Sequence, residues 1–471
     1  MLSLSKHALF HTVPRRYIRN YSQTPDRPPL TLSLSKGRPT PHTMAAPPLY
    51  DLSGIVRVFS NRNYAIYSAG AWVSLVGLWV QRLGVGWLAW ELTHSGFWLG
   101  AVAFADLFPV LVVGLFGGVL ADRFDRRRIL LVNQVLQLGQ ATVLWGMTWM
   151  GLITIEWLFL LTLFIGVVVA LGQPARLSLV PSLVRPADVG GAVAIHAVNF
   201  NLARFVGPAV AGYMISAHDV SWAFLFNALT FVAFIVALLL LDLPRQPARA
   251  TNGEGVFRQV GQGIAYAVNH TGIAAVLLLM AATSFLVRPV AELLPGFADH
   301  VFQSGAAGLA TLTSAVGLGA LVGGLWLAQR ATALGSAGIA ATCSVMLALS
   351  GLVFVATDLL WVGAVALVFA GFAAVAISVS TQTLVQTGVP SHVRGRVLSI
   401  WGMILRGVPA AGALAMGSAS DYVGLKPPLL LGSILLLAGA LVLARWSRTE
   451  MRALETAEVP PPAASAQAAA T

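Results

Sequence analysis

Hydrophobic runs, each closed by a glycine, proline or charged break, recur along nearly the whole of this chain. Many match the ~20 apolar residues a helix needs to cross the hydrocarbon core of a bilayer. Segmented at their breaks, the runs predict twelve membrane-spanning helices. They lie at about residues 64–90, 97–120, 129–150, 154–172, 189–216, 220–241, 271–295, 305–328, 335–355, 358–388, 395–420 and 425–446. The longest break, 242–270, follows the sixth span, with Pro, Gly and Arg early and an amphipathic pattern late. It reads as the joint between two six-helix halves.

Internal echoes support that division. "PSLVR" at 181 recurs as "PSHVR" at 390, and "GGVLADR" at 117 as "GGLWLAQR" at 323, so the offsets of 209 and 206 nearly agree. Duplicated halves, with a substrate site near the midplane between them, are how many secondary transporters are built. The fold class expected is therefore an all-α membrane protein of twelve transmembrane helices in two pseudo-symmetric six-helix bundles. Its domains are expected at 1–50 (a basic leader), 51–245 (first bundle), 246–270 (linker), 271–446 (second bundle) and 447–471 (tail).

Charge tests the segmentation. Of the 22 basic residues after position 43, seventeen fall on one side of the predicted spans and only Lys426 on the other, with Arg82, Arg204, Arg288 and Arg406 left inside spans. The positive-inside rule then places both termini in the cytoplasm, in the cell (inner) membrane. Trp87, Trp90, Trp98, Trp149, Trp157, Trp222 and Trp361 cluster at the opposite ends, where an interfacial aromatic belt is expected.

Composition excludes several function classes. The chain is 57% hydrophobic and 10% charged, far from the make-up of a soluble domain. Its net charge of +11 suggests nucleic acid until located: seven of the basic residues lie in residues 1–43 against one acid, Asp26, so no nucleic-acid partner is expected. That leader lacks the apolar core of a secretory signal and reads as disordered; an organellar transit peptide, or a natural start at Met44, are the other readings. A single cysteine, Cys343, rules out an internal disulfide framework or a Cys-based zinc cluster. None of the three lysines sits in a P-loop and no histidine is followed by Glu, so neither an enzyme, a metal nor a cofactor is expected.

Six charges lie inside spans, where each costs at least about 2.5–3.5 kcal/mol and so needs a partner, water or a function. Arg82 and Asp106 fall at similar depths in adjacent antiparallel spans, which suggests a neutralising pair; Arg82 snorkelling outward is the alternative. Arg288 and Glu292 are i,i+4 in span 7 and share a face if Pro289 leaves the helix intact. Asp106 and Glu292, the two carboxylates within spans, are the candidates for carrying protons. Arg204 and Arg406 occupy spans 5 and 11 before Gly-Pro-rich segments, and either attract an anionic ligand or bond carbonyls freed by proline. His196, Asn199 and Asn201 are candidates to face a cavity.

The stretch Gly118-x-Leu120-Ala121-Asp122-Arg123-x-Asp125-Arg126-Arg127 resembles motif A of the major facilitator superfamily, with Asp125 where the general motif has Gly. That departure is usual in the efflux branch that includes the enterobactin exporter. Gly207-Pro208-x-x-Ala211-Gly212 is similar to the antiporter motif C, with altered glycines, and the likeness extends over about residues 55–446. It implies a monomeric secondary transporter in the lipid bilayer, working by alternating access and exporting a small amphipathic molecule, a siderophore or drug, against protons. Uptake and lipid flipping are the alternatives within transport; an intramembrane enzyme or a channel are the rivals outside it. The resemblance further implies that Asp122 meets the N-terminus of span 11, while Arg123, Arg126 and Arg127 link neighbouring helices and latch the outward-facing state.

Overall fold

Every predicted span becomes helical in the computed structural model, which describes residues 57–242, 256–329, 335–446 and Leu454. The leader with Met44, Arg245, Arg249, Arg330, Arg448 and Arg452, and all of the tail but Leu454, lie outside the described residues. Among those described there is no strand. The first six spans are α1 (Arg62–Thr93), α2 (Gly96–Val112) continued by α3 (Gly114–Arg123), α4 (Arg126–Trp149), α5 (Ile155–Leu179), α6 (Val189–Ala217) and α7 (Val220–Leu239). After a linker helix, α8 (Val256–Asn269), come α9 (Thr271–Leu286) continued by α10 (Val290–Gly296) and a π-helical turn at Phe297–Val301. The last five are α11 (Gly305–Ala328), α12 (Ser336–Ala356), α13 (Leu360–Gly388), α14 (Ser391–Val423) and α15 (Lys426–Trp446).

Eight described segments are long and apolar enough to cross a membrane on length and composition alone, and Gly96–Val112 and Lys426–Val442 are shorter apolar helices. The remaining two, α1 and α4, are diluted by polar residues that face protein. Asn133, Gln134, Gln137 and Gln140 of α4 and Gln81 of α1 are all buried. Gln81 donates to Gln140 Oε1 (3.1 Å) and accepts from Asn227 Nδ2 of α7 (2.7 Å). Gln137 donates to Asn133, which donates to the Val168 carbonyl of α5. With no water to satisfy them in hydrocarbon, such amides bind helix to helix.

Small residues set the crossing of α1 on α7. Gly70, Gly77 and Gly84 recur every seventh position, two helical turns, and so form one stripe along α1. That stripe lies on α7: a Cβ at Gly70 would sit 2.5 Å from Ala237 Cβ, at Gly77 2.5 Å from Asn227 Oδ1, and at Gly84 3.0 Å from the Phe224 ring. Gly77→Leu is therefore expected to destabilise the protein by about 1–3 kcal/mol through overpacking. Gly139→Leu, at an exposed α4 position with nothing within 4 Å, should leave the detergent melting temperature unchanged. Equal melting of the two variants would refute the tight crossing.

The belt expectation needs one correction. Trp149, Trp157, Trp222 and Trp361 are exposed, but Trp87 and Trp90 are buried. Trp90 Nε1 donates to Asp299 Oδ2 across the interface between α1 and the π turn (2.9 Å), so it serves packing rather than the headgroup boundary.

Contacts between residues 62–239 and 271–446 run from the tryptophan-rich end to mid-depth. There α2 crosses α14 and α6 crosses α11. The deepest of these are Gly407 of α14 against Leu111 of α2, and Gly317 of α11 against Arg204 and Phe205 of α6. Beyond them α3 packs on α5, within its own half. Around Gly118, Gly190, Gly395 and Gly402 a Cβ would meet nothing within 4 Å. With the contacts between the halves lying at the other end and at mid-depth, the cleft between them opens toward the arginine-rich end.

Candidate functional site

Proline shapes the floor of this cleft. Pro109 has no N–H to continue the helical ladder and crowds the carbonyl four residues back, so span 2 breaks into α2 and α3 at Val113. The Ala105 carbonyl freed by the proline and the Asp106 carbonyl next to it face Gly166 of α5, where a Cβ would stand 2.6 and 2.9 Å from them. This seats α2 with Asp106 beside Arg82 of α1: Arg82 Nη2 lies 3.4 Å from Asp106 Oδ2.

The same Arg82 Nη2 donates to Glu292 Oε1 of α10 at 2.8 Å, joining two residues 210 positions apart. The condition set for Arg288 and Glu292 to share a face, an intact helix through Pro289, is not met. Span 7 does not continue through Pro289: α9 ends at Leu286, the Arg288 N–H bonds back to Thr283 O (3.2 Å), and α10 begins at Val290. The i,i+4 relation needs an unbroken helix. Instead Glu292 reaches across the cleft, and Arg288 Nη1 is buried without a hydrogen-bond partner. Arg82, Asp106 and Glu292 are 32%, 31% and 23% exposed, so the cluster lines the cleft rather than a dry core.

A third arginine joins from α6. The guanidinium carbons of Arg82 and Arg204 each lie 5.5 Å from the ring centre of Trp79, a separation at which a cation is held by an aromatic ring. Gly207 makes this possible, since a Cβ there would come within 2.5 Å of Trp79 Cβ. The motif C-like glycines thus act by close packing: Gly207 on α1, and Gly212 on Ala310 and Ala306 of α11. Pro208 lies buried within α6, next to Gly207. Arg406, by contrast, is exposed. Asn199 donates to Ser68 Oγ (3.0 Å) and Asn201 to the Ala197 carbonyl of its own helix (2.9 Å).

The two ends of the cleft are built differently. At the tryptophan-rich end Asp421, in the last turn of α14, receives the Gly96 N–H (2.6 Å), the Phe97 N–H (3.3 Å) and the Ser95 hydroxyl (2.7 Å). It caps the N-terminus of α2 from the other half, where a carboxylate is favoured by unpaired N–H groups and the helix dipole. At the arginine-rich end, Asp125 caps α4 through the Arg128 N–H (2.9 Å). Arg126 donates to Ser178 O of α5 (3.1 Å), and Arg127 to the Leu238 and Leu239 carbonyls at the end of α7 (both 2.8 Å). These links join helices of the first half to one another. Gly118 stands in open space and Arg123 is exposed; the Asp122 side chain lies outside those described.

Trp79, Asp421 and the Gln81–Gln140–Asn227 amides were not singled out from sequence. Trp79 did carry a signal, because it stands three positions before Arg82 and so on the same helical face.

Compared with known proteins, residues 56–469 match the family described as transmembrane secretion effector. The staphyloferrin A transporter of Staphylococcus aureus is 24% identical over 365 residues, covering 76% of this chain and 90% of that protein. The enterobactin exporter of Escherichia coli O1:K1 is 26% identical over 339 residues, covering 70% and 78%. Among solved structures, a POT family transporter in complex with 5-aminolevulinic acid superposes with a TM-score of 0.67 at 12% identity, covering 83% of this chain and 97% of that one. A bacterial homologue of the human lysosomal transporter Spinster, in an inward-facing and unoccupied conformation, gives 0.57 at 14% identity, covering 84% and 97%.

Proposed function

That this chain belongs to the transmembrane secretion effector family of major facilitator transporters is the premise from which we propose that it exports a small amphipathic molecule, siderophore-like in kind, in exchange for protons. The chain is a multi-pass membrane transporter; the direction, the coupling ion and the substrate are the proposal. We place the arginine-rich end, with both termini, in the cytoplasm. The bundles 51–245 and 271–446 rock about the cleft as a monomer, and the described state is open inward.

One observation carries this reading: a single guanidinium, Arg82, is shared by a carboxylate from each half, Asp106 and Glu292, in a cleft closed at one end. Charged Glu292 holds Arg82 and ties the halves together on the closed side. A substrate entering from the cytoplasm competes for the arginines, loosens the tie and lets the cleft reopen outward. A proton arriving from outside neutralises Glu292 and favours substrate release, and its loss to the cytoplasm restores the tie. The motif A residues Asp122, Arg123, Arg126 and Arg127 would hold the opposite, outward-facing state.

Proteoliposomes test this. Wild-type protein should carry enterobactin saturably and faster when an inward-directed proton gradient opposes the substrate flow. Glu292→Gln should keep equilibrium exchange of labelled enterobactin but lose at least about tenfold of the gradient stimulation, since a neutral side chain no longer reports the proton. Flux linear in concentration would favour a channel, and gradient stimulation unchanged in Glu292→Gln would remove this carboxylate from the coupling path.

A further inference from the structure

The cleft carries more positive than negative charge. Both carboxylates near its floor, Asp106 and Glu292, spend their ion pairs on Arg82. Arg204 and Arg288 take part in none of the ion pairs seen among the described residues; Arg204 lies near enough to Arg288 and to Arg82 for their charges to repel, and the charge of Glu292, though bonded to Arg82, reaches both. Arg288 Nη1 is buried with no hydrogen-bond partner. Three guanidiniums facing two carboxylates leave one positive charge unbalanced.

That surplus is costly even where some water reaches the cluster, because a guanidinium between protein walls loses part of its hydration without recovering it in an ion pair. Arginine does not escape by shedding its proton. A cation held in this way is balanced by an anion that enters the cleft. The guanidinium fork matches the two oxygens of a planar carboxylate. Beside it stands an aromatic wall: Trp79 between Arg82 and Arg204, with Phe200 edge-on to Trp79 at 5.9 Å.

We propose that Arg204 and Arg288, one from each half and neither in an ion pair among the described residues, form a binding site for the carboxylate of an amphipathic organic anion whose apolar body rests against Trp79 and Phe200. The site rests on the transporter reading and narrows it to anionic substrates. It also explains the opposed fates of the arginines: Arg82 is already neutralised by the protein, whereas Arg204 and Arg288 are left for the cargo. Because they come from opposite halves, a bound carboxylate is contacted from both sides of the cleft.

The test uses the full chain purified in detergent, with 2-naphthoate and 2-naphthamide as probes of matched shape and different charge. Wild-type protein should bind naphthoate at least about tenfold more tightly by calorimetry. Arg204→Gln and Arg288→Gln should each erase that preference, and Arg406→Gln should keep it. Equal affinity for the two probes in wild type, or a preference that survives both substitutions, would overturn the site. The wild-type comparison needs no variant, so a variant that fails to fold does not spare the proposal. Proteoliposome flux separates this outcome from that of the transport reading. Gradient-driven flux of both probes without charge preference overturns the anion site alone. Arginine-dependent naphthoate binding with no gradient-driven flux of any probe overturns proton-coupled transport alone.

Discussion

Arg82→Gln is expected to destabilise the protein by about 3 kcal/mol and to lower transport about a hundredfold. Removing one partner of a buried ion pair costs about 3–5 kcal/mol because the other charge stays behind. Here two charges stay behind, Asp106 and Glu292, but the water that reaches these side chains draws the figure to the lower end. The transport loss follows from the role of Arg82 as the group both carboxylates share, and a hundredfold corresponds to about 2.7 kcal/mol of barrier. Adding Glu292→Gln should recover most of the stability, since one remaining carboxylate is more easily kept neutral, yet leave gradient-driven flux absent. Thermal melting in detergent and proteoliposome flux read the two effects separately. An Arg82→Gln protein that melts and transports like wild type would show that Arg82 merely snorkels.

Gly417→Val is expected to hold the tryptophan-rich end ajar. Closure there brings backbone against backbone: a Cβ on Gly417 would run into the Gly96 carbonyl and sit 3.3 Å from Gly100 Cα, and one on Gly100 would sit 2.9 Å from the Ala413 carbonyl carbon. Neither contact involves a flexible side chain that can move aside. A branched side chain at Gly417 therefore opposes the closed state while leaving the open one unhindered, and transport should fall at least about tenfold through this shift in population. The native cysteine is buried, which leaves a reporter thiol alone to be read. Gly86→Cys, facing Pro295 at 3.3 Å in the closed structure, should react at least about tenfold faster with a membrane-impermeant maleimide when Gly417→Val is present. Equal labelling would mean that the α2–α14 crossing does not govern access.

Sequence made the spans legible because hydrocarbon imposes one demand everywhere: about twenty apolar residues, closed by a break. It was less informative where helices break. Pro109 and Pro289 announced an irregularity, but not that regular helix ends at Val112, three residues after the one, and at Leu286, three residues before the other. The shared face of Arg288 and Glu292 was conditional on an intact helix, and Pro289 does not leave it intact. Arg82 and Asp106 stand near each other, and equal distances from the ends of adjacent spans were enough to suggest it. The bond from Arg82 to Glu292 was invisible, because nothing local links positions 210 apart and only the packing of the two halves brings them together. Asp421 was overlooked for a related cause. It looks like an ordinary loop acid until the N-terminus of α2 is placed beside it.

Asp421 also bears on how the protein rests between turnovers. α2 and α14 run antiparallel, so each end of the pair presents the N-terminus of one helix beside the C-terminus of the other. At the shut end a carboxylate from α14 already grips α2. By family resemblance Asp122, at the far end of the same span as α2, is the residue that would grip α14 when the cleft reverses. The pair then behaves as a balance beam with a catch at either tip, its idle position set by the difference between two grips of one kind. A small difference is easily reversed, so weakening either catch by a single atom, oxygen for amide nitrogen, is a means of choosing which face the idle protein shows to its surroundings.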